Sequence, residues 1–269
     1  DALALTLAGN SEHEFKIVVA MRYWHPRSDE AAQALAMWGA DEIVLLPLYP
    51  QFSTTTTTSS LDDWARAAKA NGLNVLTRAV CCWPTEPGLV ESFASKIAAA
   101  LATDRSLRVL FSAHGLPETI VRRGDPYPQH VEQTAQAVRT ALARRGFDDI
   151  DSRICYQSRV GPLKWIGPST DDEIRRAGRE RKGIVMVPIA FVSEHSETLV
   201  ELDIEYRHLA ERSGVPRYER MATPGNDPIF IAGLKDVILS ALSKSTAVAP
   251  RTGETPCADG KPCPCVRGF

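Results

Sequence analysis

"GIVMVPIAFVSEHSETLVELDIEYRHL", residues 183–209, runs an apolar stretch straight into a segment of opposite character. The first nine residues are apolar without alternation, the pattern of a strand buried on both faces. From Glu194 the period changes. Glu194, Glu197, Glu201 and Glu205 recur at steps of three and four, which in an α-helix puts them on one face, joined by His208. Leu199, Leu202, Tyr206 and Leu209 make the opposite, apolar stripe. A buried strand feeding an amphipathic helix is the repeating unit of a parallel α/β sheet.

The same unit recurs along the chain. "FKIVVAM" (15–21), "EIVLLPL" (42–48), "LNVLTRAV" (73–80), "LRVLFSA" (107–113) and "RICYQS" (153–158) read as further strands. "SDEAAQALAMWG", "LDDWARAAKANG", "GLVESFASKIAAALA", "PQHVEQTAQAVRTALARRG" and "TDDEIRRAGRERKG" read as helices between them, most of them closed by Gly. The fold class that follows is α/β, with two doubly wound parallel-sheet (Rossmann-like) domains. A break near 103–106 assigns residues 1–105 to the first domain and 106–245 to the second. Residues 246–269, "TAVAPRTGETPCADGKPCPCVRGF" from their start, are rich in Pro, Gly and Thr without periodicity, and read as a cysteine-rich tail.

At 269 residues, 44% hydrophobic and 24% charged, the chain can bury a real core. A net charge of −2 and a pI of about 6.4 give no electrostatic case for nucleic acid. No apolar run approaches the ~20 residues needed to cross a bilayer and no signal peptide is visible, so the expected compartment is the cytoplasm. Peripheral contact with a membrane remains compatible with this composition, and oligomeric state is not legible. The opening "DALALTLAGN" has no initiator Met, as in a processed or truncated product. Cysteines at 81, 82, 155, 257, 263 and 265, three of them close together at one end, favour metal ligation over disulfides in a cytosolic chain.

In open α/β sheets the ligand sits beyond the carboxyl ends of the strands. There the sequence sets His114 after "LRVLFSA", a hydroxyl run at Thr54–Thr58 with Ser59 and Ser60, the loop Tyr156, Gln157, Ser158, Arg159 and Trp165, and the acidic ladder. A solvated helix face normally mixes signs, whereas this one has no Lys or Arg among its members, and like charges at i,i+4 repel. The hydroxyl run reads either as a helix cap or as an anion site. No GxGxxG follows a strand and there is no Walker-type loop.

Four stretches together resemble ferrochelatase, the enzyme family that inserts ferrous iron into a porphyrin: "LPLYPQFSTTTTTSSL", "LFSAHGLPETIVRRGDPYPQHV", "CYQSRVGPLKWIGPSTDDEI" and "PIAFVSEHSETLVELDIEY". The resemblance implies the chelatase fold and formation of protohaem from protoporphyrin IX, with porphyrin and Fe2+ as substrates. His114 matches the family's active-site histidine, placed to take pyrrole protons or hold the metal, and Glu197 the carboxylate facing it across the porphyrin. His195, Glu201 and Glu205 match a polar path for metal or protons, and Glu194 stands where an acidic residue is usual. Tyr156 and Trp165 match aromatic positions near the macrocycle; Ser158 and Arg66 match polar residues of the same cleft. A coproporphyrin ferrochelatase, a cobalt chelatase or a non-catalytic iron or haem carrier are the alternatives, although a cobalt chelatase usually has a second histidine where Glu197 stands.

Two departures accompany the likeness. The family's "TTGSS" reads Thr57-Thr58-Ser59-Ser60, without its glycine. The family's opening βα segment, which supplies part of the apolar lip over the porphyrin, is missing ahead of Asp1. The tail raises a separate expectation. Cys257, Cys263 and Cys265 lack a fourth thiolate, and spacing alone suits a structural zinc, a [2Fe–2S] cluster or an unstructured reactive tail. Some ferrochelatases hold a [2Fe–2S] cluster between a C-terminal extension and one cysteine of the body, and that likeness implies a cluster here with Cys82, or alternatively Cys81, as fourth ligand.

Overall fold

The computed structural model describes residues 1–159 and 161–243, which divide into two compact units: one of residues 1–83 with 231–243, the other of residues 84–230. The first unit opens with α1 (Ala2–Leu7) and α2 (Ser28–Trp38), then β1 (Glu42–Leu45), a short π-helix (Thr54–Thr58), α3 (Ser59–Ala70) and β2 (Leu76–Ala79). β1 and β2 pair in parallel from Glu42↔Leu76 to Leu45↔Ala79. Ala32, Leu35, Ile43, Trp64 and Ala67 form the core between this sheet and its helices. Ser53 caps the hydroxyl run, its Oγ accepting the Thr55 N–H at 3.2 Å.

The second unit contains α4 (Pro87–Thr103), β3 (Arg108–His114), α5 (Glu118–Arg122), α6 (Tyr127–Ala143), β4 (Ser152–Gln157), α7 (Thr170–Arg179), β5 (Ile184–Pro188), a long π-helix (Glu197–Glu205), α8 (Tyr206–Arg212) and β6 (Tyr218–Arg220). α9 (Pro228–Leu242) carries the chain across the second boundary. The sheet order is β4-β3-β5-β6, all parallel. β3 therefore lies between the strand that follows it and the next one, the point in a doubly wound sheet where the loops part and a ligand crevice opens. Leu110, Cys155, Ile174, Met186, Leu202 and Tyr206 pack a core between this sheet and the helices on one face.

Local chemistry explains where these helices start. Ser169 caps α7 by accepting the Asp172 N–H at 3.1 Å, and Asp171, Asp172 and Glu173 occupy the first turn with Arg176 and Arg179 in the last, each matched to the helix dipole. Glu86 caps α4 by accepting the Leu89 N–H at 2.7 Å, with Pro87 at the first helical position.

Four expectations need correction. Residues 15–21 join neither sheet among the described residues: Ile17, Val19 and Met21 are exposed, and apolar alternation without a ladder partner does not make a strand. The unit boundary falls at Trp83/Pro84, not near 105, because α4 packs on α6 and against β5 in the second unit. β6 was not foreseen, since three residues carry no readable period. The acidic ladder is not an α-helix. The Tyr206 N–H reaches back five residues to the Glu201 carbonyl, so the segment turns through a smaller angle per residue. Thr198, Leu202 and Tyr206 are then the buried row, and Leu199, three residues before Leu202, swings out to 46% exposed. The tail assigned to 246–269 lies outside the described residues. No helix among the described residues is long and apolar enough to cross a membrane.

α7 and the end of α8 approach so closely that a Cβ at Gly178 would lie 2.0 Å from the Ser213 carbonyl oxygen. Gly178→Ala is therefore expected to destabilise the protein by about 1–3 kcal/mol or more, because both partners are backbone and overpacking forces them apart. Urea unfolding should show a lower midpoint at unchanged slope; an unchanged midpoint would contradict the close approach.

Candidate active site

His114 is the last residue of β3, pairing with Gln157 at the end of β4, so its ring projects at the carboxyl rim of the sheet. Its Nδ1 lies 2.6 Å from the Gly115 carbonyl oxygen, which can only accept. Nδ1 thus carries the hydrogen in the neutral ring, and Nε2 presents a lone pair. That Nε2 stands 3.9 Å from Oε2 of Glu197, the first residue of the long π-helix. The distance is too long for a hydrogen bond. Although the Glu197 side chain is over a third exposed, its Oε2 is turned inward and has no hydrogen-bond partner among the described residues. An unused base and an unused carboxylate oxygen face each other across a gap.

Gly115 makes that placement possible. Its N–H continues the ladder to the Gln157 carbonyl at 2.8 Å, and a Cβ there would sit 2.8 Å from that same oxygen and 3.1 Å from the Trp165 ring. Trp165 thereby closes the back of the His114 turn, and its backbone bridges Pro117.

Glu201, one step further along the π-helix, is held differently. Its Oε1 accepts the Ser158 N–H at 2.8 Å and the Tyr206 hydroxyl at 3.0 Å, and its Oε2 accepts the Ser158 hydroxyl at 2.5 Å. Gln157 Nε2 adds a longer contact at 3.4 Å and is itself oriented by the buried Ser112 hydroxyl, which donates to its Oε1 at 2.8 Å. Ser158 pays for none of this with an ordinary backbone: its φ is +57°, a left-handed conformation costing a non-glycine residue about 1–2 kcal/mol. The two bonds to Glu201 offset that cost. Burial first, and the Glu201 charge beside it, push the Tyr206 phenol far up, so it remains a donor. Burial likewise raises Tyr156 to about 12.

His195 sits in the loop before the π-helix, its ring edge-on to Phe191 at 4.8 Å between centroids, and its Nδ1 accepts the Glu197 N–H at 3.1 Å. This fixes the first turn on which Glu197 rides. Glu205 is exposed and lines the outer end of a cavity of about 680 Å³, whose wall also includes His114, Tyr156, Ser158, Trp165, Glu197 and Glu201. Most of the expected residues are brought together at this cavity, with His195 standing outside its wall.

Three are not. Glu194 faces away, bound by Arg220 and the Thr223 N–H, and His208 is exposed and not part of the cavity wall. Arg66 belongs to the first unit, where its guanidinium holds Asp29 by two bonds and Asp63 by two more, tying α3 to α2. Sequence reading also missed Asp171, Arg175 and Arg212, which line the cavity from α7 and α8. Their only signal was helix patterning, which reads them as termini and solvated faces.

Among the cysteines, Cys81 and Cys82 are buried just after β2 with their sulfurs 3.5 Å apart. Cys155 is buried in the core of the second unit, where desolvation pushes its thiol up to about 12. A thiol so placed is a poor nucleophile in the folded protein. Cys257, Cys263 and Cys265 lie outside the described residues.

The fold has counterparts among solved structures. SirB from Bacillus subtilis with Fe3+ superposes at a TM-score of 0.65 and 14% identity, covering 90% of this chain and 87% of that one. The sirohydrochlorin chelatase SirB from Bacillus subtilis subspecies spizizenii in complex with cobalt gives 0.59 and 11%, over 89% and 86%. The architecture is that of the chelatases. At the level of sequence, the profile of the family Ferrochelatase matches residues 1–242. The ferrochelatase of Caulobacter vibrioides is 50% identical over 275 residues, 99% of this chain and 75% of that protein, and that of Phenylobacterium zucineum is 51% identical over 258 residues, 95% and 73%. The ferrochelatase of Rickettsia bellii is 42% identical over 272 residues. The chain belongs to the ferrochelatase family, enzymes that insert iron into a porphyrin in haem synthesis.

Two outcomes follow from the geometry. Nitrogen-15 NMR at neutral pH should find the neutral His114 ring protonated on Nδ1 with Nε2 bare, and the reverse tautomer would break the assignment. In native protein Cys155 should resist iodoacetamide at pH 8 and react only on unfolding, because its thiol titrates near 12; rapid native labelling would contradict its burial.

Proposed function

We propose that this chain inserts ferrous iron into protoporphyrin IX to form protohaem, with His114 and Glu197 as the catalytic residues. The observation that carries this reading is the approach to 3.9 Å of His114 Nε2 and an unbonded Glu197 oxygen, a base and a carboxylate placed side by side to act on one proton or one cation. A free-base porphyrin holds two inner N–H protons, and both must leave as a divalent ion enters: Fe2+ plus the free base gives the metalloporphyrin and two protons. His114 Nε2 takes the pyrrole protons one at a time as a general base and passes each on to solvent or to the carboxylates beside it. Glu197 offers an anionic oxygen opposite, stabilising the imidazolium or the incoming cation. Beyond the hydrogen-bonded Glu201, Glu205 continues the carboxylates outward along the cavity as a hard ligand suited to weak, transient binding of ferrous iron, with Glu201 fixing the path between them and His195 holding the first turn. Among the described residues no three His, Cys, Asp or Glu side chains converge as a metal cage, which suits passage over storage.

Tyr156 and Trp165 supply aromatic wall to the cavity, and Ser158 acts through Glu201. Arg66 is left out of this set because its donors are engaged by Asp29 and Asp63.

A [2Fe–2S] cluster on Cys257, Cys263, Cys265 and Cys82 belongs to the same proposal, with Cys81 as the alternative fourth ligand. Cys155 lies within β4 in the core of the second unit, whereas the Cys81–Cys82 pair stands in the first unit just past the end of β2, which supports one of the two as the body's donor. Such a cluster would tie the tail to the first unit and take no part in metal insertion. Visible absorption and a reduced-state paramagnetic signal should disappear on Cys265→Ser, whereas a colourless protein with stoichiometric zinc would exclude the cluster.

His114→Ala should lower metal insertion by about 10²–10⁴-fold with the fold intact, the usual cost of losing a general acid–base group. Zinc- or iron-porphyrin formation measures it, and activity within tenfold of wild type would sink the assignment. Glu197→Gln should be nearly as damaging and Glu205→Gln milder. The same assay should run faster on protoporphyrin than on coproporphyrin; the opposite order would reassign the substrate.

A further inference from the structure

We infer that Arg220 is a positioning residue for metal insertion: one buried guanidinium clamps the residue ahead of the long π-helix to the middle of that helix, and so keeps Glu197 opposite His114. The inference rests on the reading that His114 and Glu197 carry the reaction.

Arg220 ends β6, and its side chain is only 10% exposed. Nη1 reaches both oxygens of Glu194, at 3.0 and 3.1 Å, and the Met221 carbonyl at 3.1 Å. Nε lies 3.4 Å from Oδ2 of Asp203, an ion-pair distance without the alignment of a hydrogen bond. Glu194 precedes the π-helix and Asp203 lies within it, nine residues later, with Glu197 between them. The Thr223 N–H adds a bond to Glu194 at 2.9 Å, and Arg207 a second charge on Asp203 at 2.6 Å. From the same face of β6, two residues earlier, the Tyr218 hydroxyl donates to the Leu202 carbonyl inside the helix.

Isolated π-helix is rare beyond a single turn, so nine residues of it need external support. β6 supplies that support at three points: residues 194, 202 and 203. Electrostatics point the same way. Desolvation raises the Glu194 carboxyl, but the Thr198 hydroxyl, the Thr223 N–H and Arg220 together hold it below its usual range, and Arg207, with Arg220 behind it, does the same for Asp203. Lys96 adds a further positive charge near Glu194. The carboxylates not ion-paired to an arginine among the described residues are thereby those on the cavity side, Glu197, Glu201 and Glu205. A lysine cannot replace this arrangement, because one ammonium does not span two carboxylates that a forked guanidinium reaches from two of its nitrogens.

The test is a set of full-length variants assayed for zinc insertion alongside His114→Ala, with porphyrin affinity read separately by tryptophan fluorescence. Arg220→Gln should lower kcat by about 10²-fold, the scale of a displaced catalytic group, while porphyrin Kd stays within about twofold. Arg220→Lys should recover the thermal midpoint but not kcat. Combined with Asp203→Asn, Arg220→Gln should lose little more than it does alone, since both break one clamp. A folded Arg220→Gln with kcat within threefold of wild type overturns the inference, as does full recovery of kcat by lysine. Where Arg220→Gln does not fold, Asp203→Asn decides: unchanged kcat overturns the clamp, and a fall in kcat at constant Kd supports it. An active His114→Ala would instead refute the underlying site, whatever Arg220 does.

Discussion

β3 is hydrogen-bonded in parallel to β4 on one side and β5 on the other, and the site depends on that pairing. Parallel register brings the carboxyl ends of three strands to one rim, so the loops after them meet although they are far apart in the chain. His114 comes from the first, Ser158 from the second, and the loop leading to Glu197 from the third. The pairing also sets direction. Because β3 lies between the other two, a ring at its end faces both the Ser158 loop and the π-helix. No local preference of residues 114, 158 or 197 could create that meeting.

The π-helix is the second constraint, and its winding divides four similar carboxylates into different roles. Glu201 is saturated by Ser158 and Tyr206, Glu194 by Arg220 and Thr223, and both serve as anchors. Glu197 keeps an oxygen without a partner beside the imidazole, and Glu205 remains open at the outer end. A hydrogen-bonded carboxylate fixes structure, whereas one with an unused lone pair is available to a proton or a cation. The backbone strain at Ser158 belongs to the same design, since a left-handed serine points both its N–H and its hydroxyl at Glu201.

Much of this was legible beforehand because it depends on local pattern. Buried strands read as unbroken apolar runs, and five of the six expected ones formed, since β-branched apolar stretches bounded by helices have few other solutions. His114, Glu197, Glu201 and Trp165 were legible because each stands in a motif at a strand's carboxyl end. Residues 15–21 failed for want of a neighbour to pair with, which composition cannot report. The ties of Arg66 were not legible, because a surface arginine takes its partners from whichever carboxylate folds against it, here Asp29 from another helix.

By itself, then, the sequence determined an α/β chain of parallel strands, a histidine at the end of a buried strand and a run of carboxylates after another. These depend on hydrophobic period and strand-end position, which act over a few residues. Only the tertiary structure decided that the carboxylate run winds as a π-helix, that Glu194 turns inward to Arg220, and that Oε2 of Glu197 is left without a hydrogen bond opposite His114. The physical reason is that helix winding and hydrogen-bond saturation are settled by what packs and pairs from elsewhere. Tyr218 and Arg220 come from a three-residue strand with no readable signal, and it is their bonds that distinguish one glutamate from the next.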